Sequence, residues 1–173
     1  MNLIEIRLLD SEALEKIYQI DRSGEIHRRY QFSNGDLSYT KEDLSIPHNP
    51  AFWDQYFDEW KTAIDKGAAF YGAMDEEGLS GFTILKHDLQ PGVAQIMALY
   101  VDSAHRMSGI ARSLFLEAQD AARANGASTP YVSATPTDAA VGFYLHQGFQ
   151  PTTDPVPALL EKEPENIHMV KRL

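Results

Sequence analysis

The run from Leu99 to Arg112 leaves the chain few ways to fold. Leu99-Tyr100-Val101 closes an apolar strand that begins near Val93, Asp102–Met107 reads as a short loop, and Ser108-Gly109 opens a helix. The buried stripe of that helix falls on Ile110, Leu114, Ala118 and Ala121, and Gly126 marks its end, the pattern of a 3.6-residue period with a glycine stop. A strand that feeds directly into a helix calls for a sheet covered by a helical layer. The turn also carries chemistry. The first amides of a helix have no intrahelical partner, and the aligned peptide dipoles leave partial positive charge there. Small residues at Ser108, Gly109 and Ala111 let a diphosphate approach that backbone, and Arg106 and Arg112 can add charge-assisted contacts. On its own, the same pattern also fits a loop whose glycine serves turn geometry alone.

The rest of the chain alternates strands and helices around this unit. Leu3–Leu8 reads as a strand, and Asp10-Ser11 caps a helix bearing Ala13, Leu14, Ile17 and Ile20. Ile26, Tyr30 and Phe32 alternate with polar residues up to Asn34-Gly35, a two-residue hairpin signal, and Leu37 and Tyr39 continue the alternation. Residues 26–40 thus form a hairpin inserted between the first two helices. Asn49-Pro50 opens the second helix, with Trp53, Tyr56, Phe57, Trp60 and Ile64 on one face and Gly67 at its end. Strands follow at Ala69–Met74, Leu79–Lys86 and Val93–Val101. Beyond the long helix come a strand at Tyr131–Ala134, a helix from Thr137 to Gln147, a Pro-rich loop expected to be mobile, and a last strand at Ile167–Leu173.

Composition excludes several functions. A chain of 173 residues with 43% hydrophobic side chains fits one packed domain, 1–173. It has no cysteine, which removes disulfides, thiolate metal sites and a thiol nucleophile. The histidines show no ligand spacing, so no metal is expected. A formal charge of −10 without a basic cluster argues against nucleic acid. The opening Met1–Arg7 carries charges where a leader needs an apolar run, and no stretch reaches the length of a membrane span, so a cytoplasmic protein off the membrane is expected.

A second motif sharpens the reading. Thr135–Phe149 places Tyr144 late on a short helix just before Gly148-Phe149. Arg-x-x-Gly-x-Ala after Leu-x-Val, followed by Ala-x-x-x-Tyr-x-x-x-Gly-Phe, resembles the GNAT superfamily of N-acetyltransferases over about Gln95–Phe149, and the flanking elements fit that topology. The resemblance implies a mixed α/β (α+β) fold. Its central sheet is largely antiparallel, of about seven strands, with helices on both faces and a splayed cleft for acetyl-CoA. It implies that the pantetheine arm bonds the backbone at Leu99, Tyr100 and Val101. The pyrophosphate would lie on Arg106, Met107, Ser108, Gly109, Ile110, Ala111 and Arg112, with Thr137 and Tyr144 completing the cofactor contacts. A primary amine would attack the thioester directly, with Tyr144 as general acid. Read from packing alone, Tyr144 is equally a core aromatic.

Two positions depart from the family pattern. Thr137 stands where asparagine often begins the Tyr144 helix. Gln95 falls where the histone-modifying branch has a glutamate base, and an amide cannot take a proton. Glu25 and His168 are the candidate replacement bases, with Glu59 a further carrier. Tyr56 or Trp60 can wall an amine pocket, and the 26–40 hairpin is expected to shape the acceptor side. The partner is an amine on a small molecule or a protein, and a second copy of the chain is a candidate. The rival reading is a catalytically silent acyl-CoA sensor module, favoured by Gln95 and opposed by Tyr144.

Overall fold

The computed structural model describes residues 3–173, and Met1 and Asn2, which begin the charged opening segment, lie outside the described residues. The strands are β1 (Glu5–Leu9), β2 (Gly24–Ser33), β3 (Asp36–Ile46), β4 (Ala69–Asp75), β5 (Gly78–Gln90), β6 (Val93–Val101), β7 (Thr129–Ala134), β8 (Gln150–Pro151) and β9 (Ile167–Val170). The α-helices are α1 (Asp54–Asp65), α2 (Ile110–Ala124), α3 (Asp138–His146) and α4 (Pro157–Lys162). Seven strands form one sheet in the order β1-β4-β5-β6-β7-β9-β8, while β2 and β3 make a separate hairpin. Among the described residues only β6 and β7 pair in parallel, joined by the α2 crossover. The mixed, largely antiparallel architecture expected from sequence is the one observed.

Both faces of the sheet are covered. On one face Leu14, Ile17, Trp53 and Trp60 pack on Phe70, Phe82 and Ile84. On the other, Leu114, Phe115, Ala118 and Ala122 from α2 join Val141 and Tyr144 from α3 over Ile96 and Val132. Gly81 brings α2 close. A Cβ there would lie 2.9 Å from the Tyr100 carbonyl oxygen and 3.2 Å from Ile110 and Leu114. The start of α2 is thereby pressed onto β5, where Gly81 pairs with Val101 at the end of β6.

Two expectations need correction. Ser11–Gln19 is a 3-10 helix, although its cap is the expected one: Asp10 accepts from Glu12 and Ala13. Leu14, Ile17 and Ile20 recur every third residue, a spacing that lines one edge of a three-residue turn. The Pro-rich loop contains α4, which starts at Pro157, where a missing N–H costs a helix nothing.

The hairpin spans more than 26–40 and is pinned at its base. A bulge between Ile26 and Arg28 turns two successive amides outward, and His27 and Arg28 both donate to Asp138 Oδ1 at 3.0 and 3.2 Å. Tyr30 N–H adds a bond to the Pro136 carbonyl at 2.9 Å. Burial pushes the Asp138 carboxyl up, but the two amides outweigh it and hold its pKa below the ordinary value. Asp21 makes a similar knot, held down to about 2 chiefly by Ser23. It also takes the Ser103 hydroxyl at 3.0 Å.

Both carboxyls titrate lower in the folded chain than in the unfolded one. They therefore stabilise the fold above the ordinary carboxylate range, and that contribution fades as pH falls through their depressed values. Asp138→Ala is expected to cost about 1 kcal/mol at neutral pH. Urea titrations should show the wild-type advantage over this variant shrinking between pH 5 and pH 3.

Candidate active site

β6 and β7 hold together for four residue pairs, Val93–Ile96 against Thr129–Val132, and then part. A bulge marks the fork. Ile84 faces Ala98 while Leu85 faces Ile96, so Met97 is the extra residue on β6. Asp102 N–H donates to the Ser80 carbonyl at 2.8 Å, and antiparallel bonding alternates residue by residue from there. Tyr100 and Ala98 therefore spend their backbone groups on β5, whereas those of Leu99 and Val101 point across the gap. An extended ligand can pair there as an added strand would.

The turn after β6 is built to leave amides bare. Gly109 caps α2 in a left-handed conformation, φ 85°, with no side-chain cap, and the helix ladder starts with Ser113 N–H on the Gly109 carbonyl. Among the described residues no protein acceptor meets the amides of Gly109, Ile110, Ala111 or Arg112. Met107 is also left-handed, φ 63°, with its side chain fully in solvent. Left-handed residues before an uncapped helix form a concave, anion-binding nest. Ser108 turns its hydroxyl back to the His105 carbonyl. Arg106 is less free than expected: Nη1 donates to the Ser23 carbonyl at 2.6 Å and Nε to Val101 at 3.4 Å. It ties the turn to the β2 approach, leaving Arg112, exposed and unpaired among the described residues, as the available guanidinium.

Thr137 caps α3, its hydroxyl accepting from Ala140 at 3.4 Å. Tyr144 on that helix is 6% exposed, its ring against Phe143 and Phe149. Its hydroxyl bonds no described protein group, and among the described residues the one fully buried side-chain polar atom without a partner is His87 Nδ1. The phenol tip of Tyr144 therefore keeps contact with solvent. Burial, then the nearby Tyr100, pushes its pKa well above the usual phenol value.

On the opposite face a cavity of about 560 Å³ opens beside the fork. Tyr56 and Trp60 stack at 4.8 Å along one wall, Tyr100 adds another ring, and Arg22 lies 3.7 Å over Phe52. Gln95, 8% exposed, reaches the same cavity, as do Glu59, Glu163 and Glu165. Glu25 does not. It lies exposed on β2, 3.6 Å from His27. His168 is also poorly placed for a base, since both its nitrogens are engaged. Tyr131 donates to Nδ1 at 2.6 Å, and Nε2 donates to the Glu163 carbonyl at 3.0 Å. Glu163 and Ser133 went unnoticed in the sequence because neither sits in a local motif. Both reach the fork only through tertiary folding.

The geometry agrees with the comparisons. The model of the acetyltransferase (GNAT) family matches residues 29–149. The chain belongs to this family. Among solved structures, nourseothricin acetyltransferase is similar at 18% identity, covering 98% of each chain, TM-score 0.74. A Bacillus anthracis protein assigned as a streptothricin acetyltransferase and solved with acetyl coenzyme A is 22% identical over 99% of each chain, TM-score 0.73. The PaiA N-acetyltransferase from Thermoplasma acidophilum, solved with coenzyme A, is 18% identical over 99% of this chain and 99% of its own, TM-score 0.68. At these identities the likeness is one of fold. No curated protein matches significantly. Among the described residues no cluster of three or more His, Asp or Glu side chains could hold a metal ion, and no helix is long and apolar enough to cross a membrane.

Gly109 holds the left-handed conformation from which α2 starts. An added Cβ meets nothing within 4 Å, so the cost of Gly109→Ala comes from the left-handed backbone, about 1–2 kcal/mol. The variant is expected to bind CoA about tenfold more weakly by calorimetry while keeping its secondary structure.

Proposed function

We propose that the protein is an acetyl-CoA-dependent N-acetyltransferase acting on a primary amine. The observation that carries this reading is the uncapped start of α2 lying beside the parted strands, because together they match the two ends of one ligand. The bare amides from Gly109 to Arg112 suit a diphosphate, with Arg112 as the added cation, and the outward backbone of Leu99 and the Val101 amide suit the amide-bearing pantetheine arm, the Val101 carbonyl being taken by Arg106. The residues present fit the group. Bound there, acetyl-CoA supplies an activated acetyl thioester.

This chain's own residues would do the rest. The Leu99 amide, free on the gap side, can donate to the oxygen that gains charge during attack. Tyr144 holds a proton at its phenol oxygen and can deliver it to the departing sulfur. Burial keeps that proton in place through neutral and mildly alkaline pH, which suits an acid rather than a base. The aromatic walls exclude water on the acceptor side and offer ring faces to a cationic amine. The expected cytoplasmic setting and a homodimer remain part of this proposal.

Gln95 supports a second reading, a CoA-binding sensor without turnover, since it supplies no base at the fork. Tyr144→Phe separates the two. In a transferase it should lower kcat in a thiol-release assay by about 100-fold or more, with CoA affinity unchanged in calorimetry. A chain that binds CoA yet releases no thiol with any primary amine is the sensor.

A further inference from the structure

One carboxylate beside the fork has a use that neither the family motifs nor Gln95 accounts for. Ser133 is the first residue of β7 beyond its pairing with β6. Its hydroxyl donates to Glu163 Oε2 at 3.0 Å, and Asn166 Nδ2 donates to the same oxygen. The Glu163 backbone is held as well, its carbonyl accepting from His168 Nε2 at 3.0 Å. His168 in turn is fixed by Tyr131, whose oxygen also takes the Val156 amide at 3.1 Å. Oε1 of Glu163 has no partner among the described residues. A side chain locked through one oxygen and bare at the other is prepared to receive a cation.

The neighbouring carboxylates are less suited. Glu59 is committed to Lys162 Nζ at 2.5 and 2.6 Å, and Glu165 is exposed at the rim. Gln95, in the same cavity, is neutral. Tyr56, Trp60 and Tyr100 supply apolar surface beside Glu163.

From this arrangement we infer that Glu163 binds the acceptor's ammonium and takes its proton, and that the acceptor is a small organic cation with an apolar body. This assignment rests on the acetyl-CoA reading given above. Glu163 Oε1 accepts one proton from the ammonium and passes it to water. The freed amine forms the C–N bond as the C–S bond breaks. The second nitrogen proton leaves by the same carboxylate, while Tyr144 protonates the sulfur and is refilled from solvent. One proton is released overall.

The test uses 2-phenylethylamine, which joins one ammonium to one aromatic body. Calorimetry with acetyl-CoA comes first and should give equal affinities for the wild type and Glu163→Gln. The wild type should then bind 2-phenylethylamine and acetylate it, read as heat and as thiol release. Glu163→Gln, which keeps the shape and the bonds to Ser133 and Asn166, should weaken amine binding about tenfold and lower kcat/KM by about 100-fold at an unchanged melting temperature. Glu163→Asp, which keeps the charge, should recover part of both. Wild-type binding and turnover in Glu163→Gln would overturn the assignment. So would a wild type that holds acetyl-CoA but neither binds nor acetylates the amine. Absence of acetyl-CoA binding in the wild type would instead bring down the transferase reading, and this assignment with it.

Discussion

Parallel pairing between β6 and β7 ends after Ile96 and Val132, and the chemistry of the molecule is organised around that ending. Backbone amides and carbonyls are strong polar groups, and a strand that loses its neighbour must find other partners or stay wet. The bulge at Met97 turns β6 away from β7 while preserving its ladder to β5. Thr83 strengthens the preserved side, its hydroxyl donating to the Ala98 carbonyl at 2.8 Å. The outcome is a strand firmly held along one edge and open along the other. Strand edges are usually blunted or covered, so an open one in the middle of a sheet points to a ligand.

Placement of the other groups follows from this gap. Close packing at Gly81 sets the first turn of α2 against β5, beside the end of β6 that pairs with it, which keeps the bare amides near the open edge. The Asp21 and Arg106 bonds fasten the loop before α2 to the segment that enters β2. Asp138 then fastens β2 to the start of α3, the helix that carries Tyr144. A short chain of polar ties therefore connects the loop before α2 to the helix that carries Tyr144. Neither end can shift far without disturbing the hairpin between them.

Much of this could be read in the sequence, and the parts that could not share a cause. β6 runs over Val93–Val101 as expected, because an apolar run bounded by Gly92 and by a polar loop leaves little freedom in its limits. The α2 turn was visible because it is built from residues adjacent in the chain. The 3-10 form of Ser11–Gln19 was missed because apolar residues three apart satisfy either helix, and tertiary packing makes the choice. Position after the first helix suggests that Glu25 is near the acceptor, yet on β2 it alternates with the buried Ile26 and so faces solvent. Arg106 matched the motif, but the nearby Ser23 carbonyl claims its guanidinium. Asp21, Ser133 and Glu163 belong to no local pattern, so their partners appear only once distant segments meet.

Leaving α2 without a side-chain cap has a consequence, on the proposed function, for how the molecule would meet its cofactor. Thr137 completes the start of α3 as the chain folds; the start of α2 would be finished by something that diffuses in. The empty and occupied forms then need not differ in backbone path, because the docking surface is already laid out and lacks only an anion to close its last hydrogen bonds. Recognition would resemble the seating of a missing residue more than the closing of a jaw.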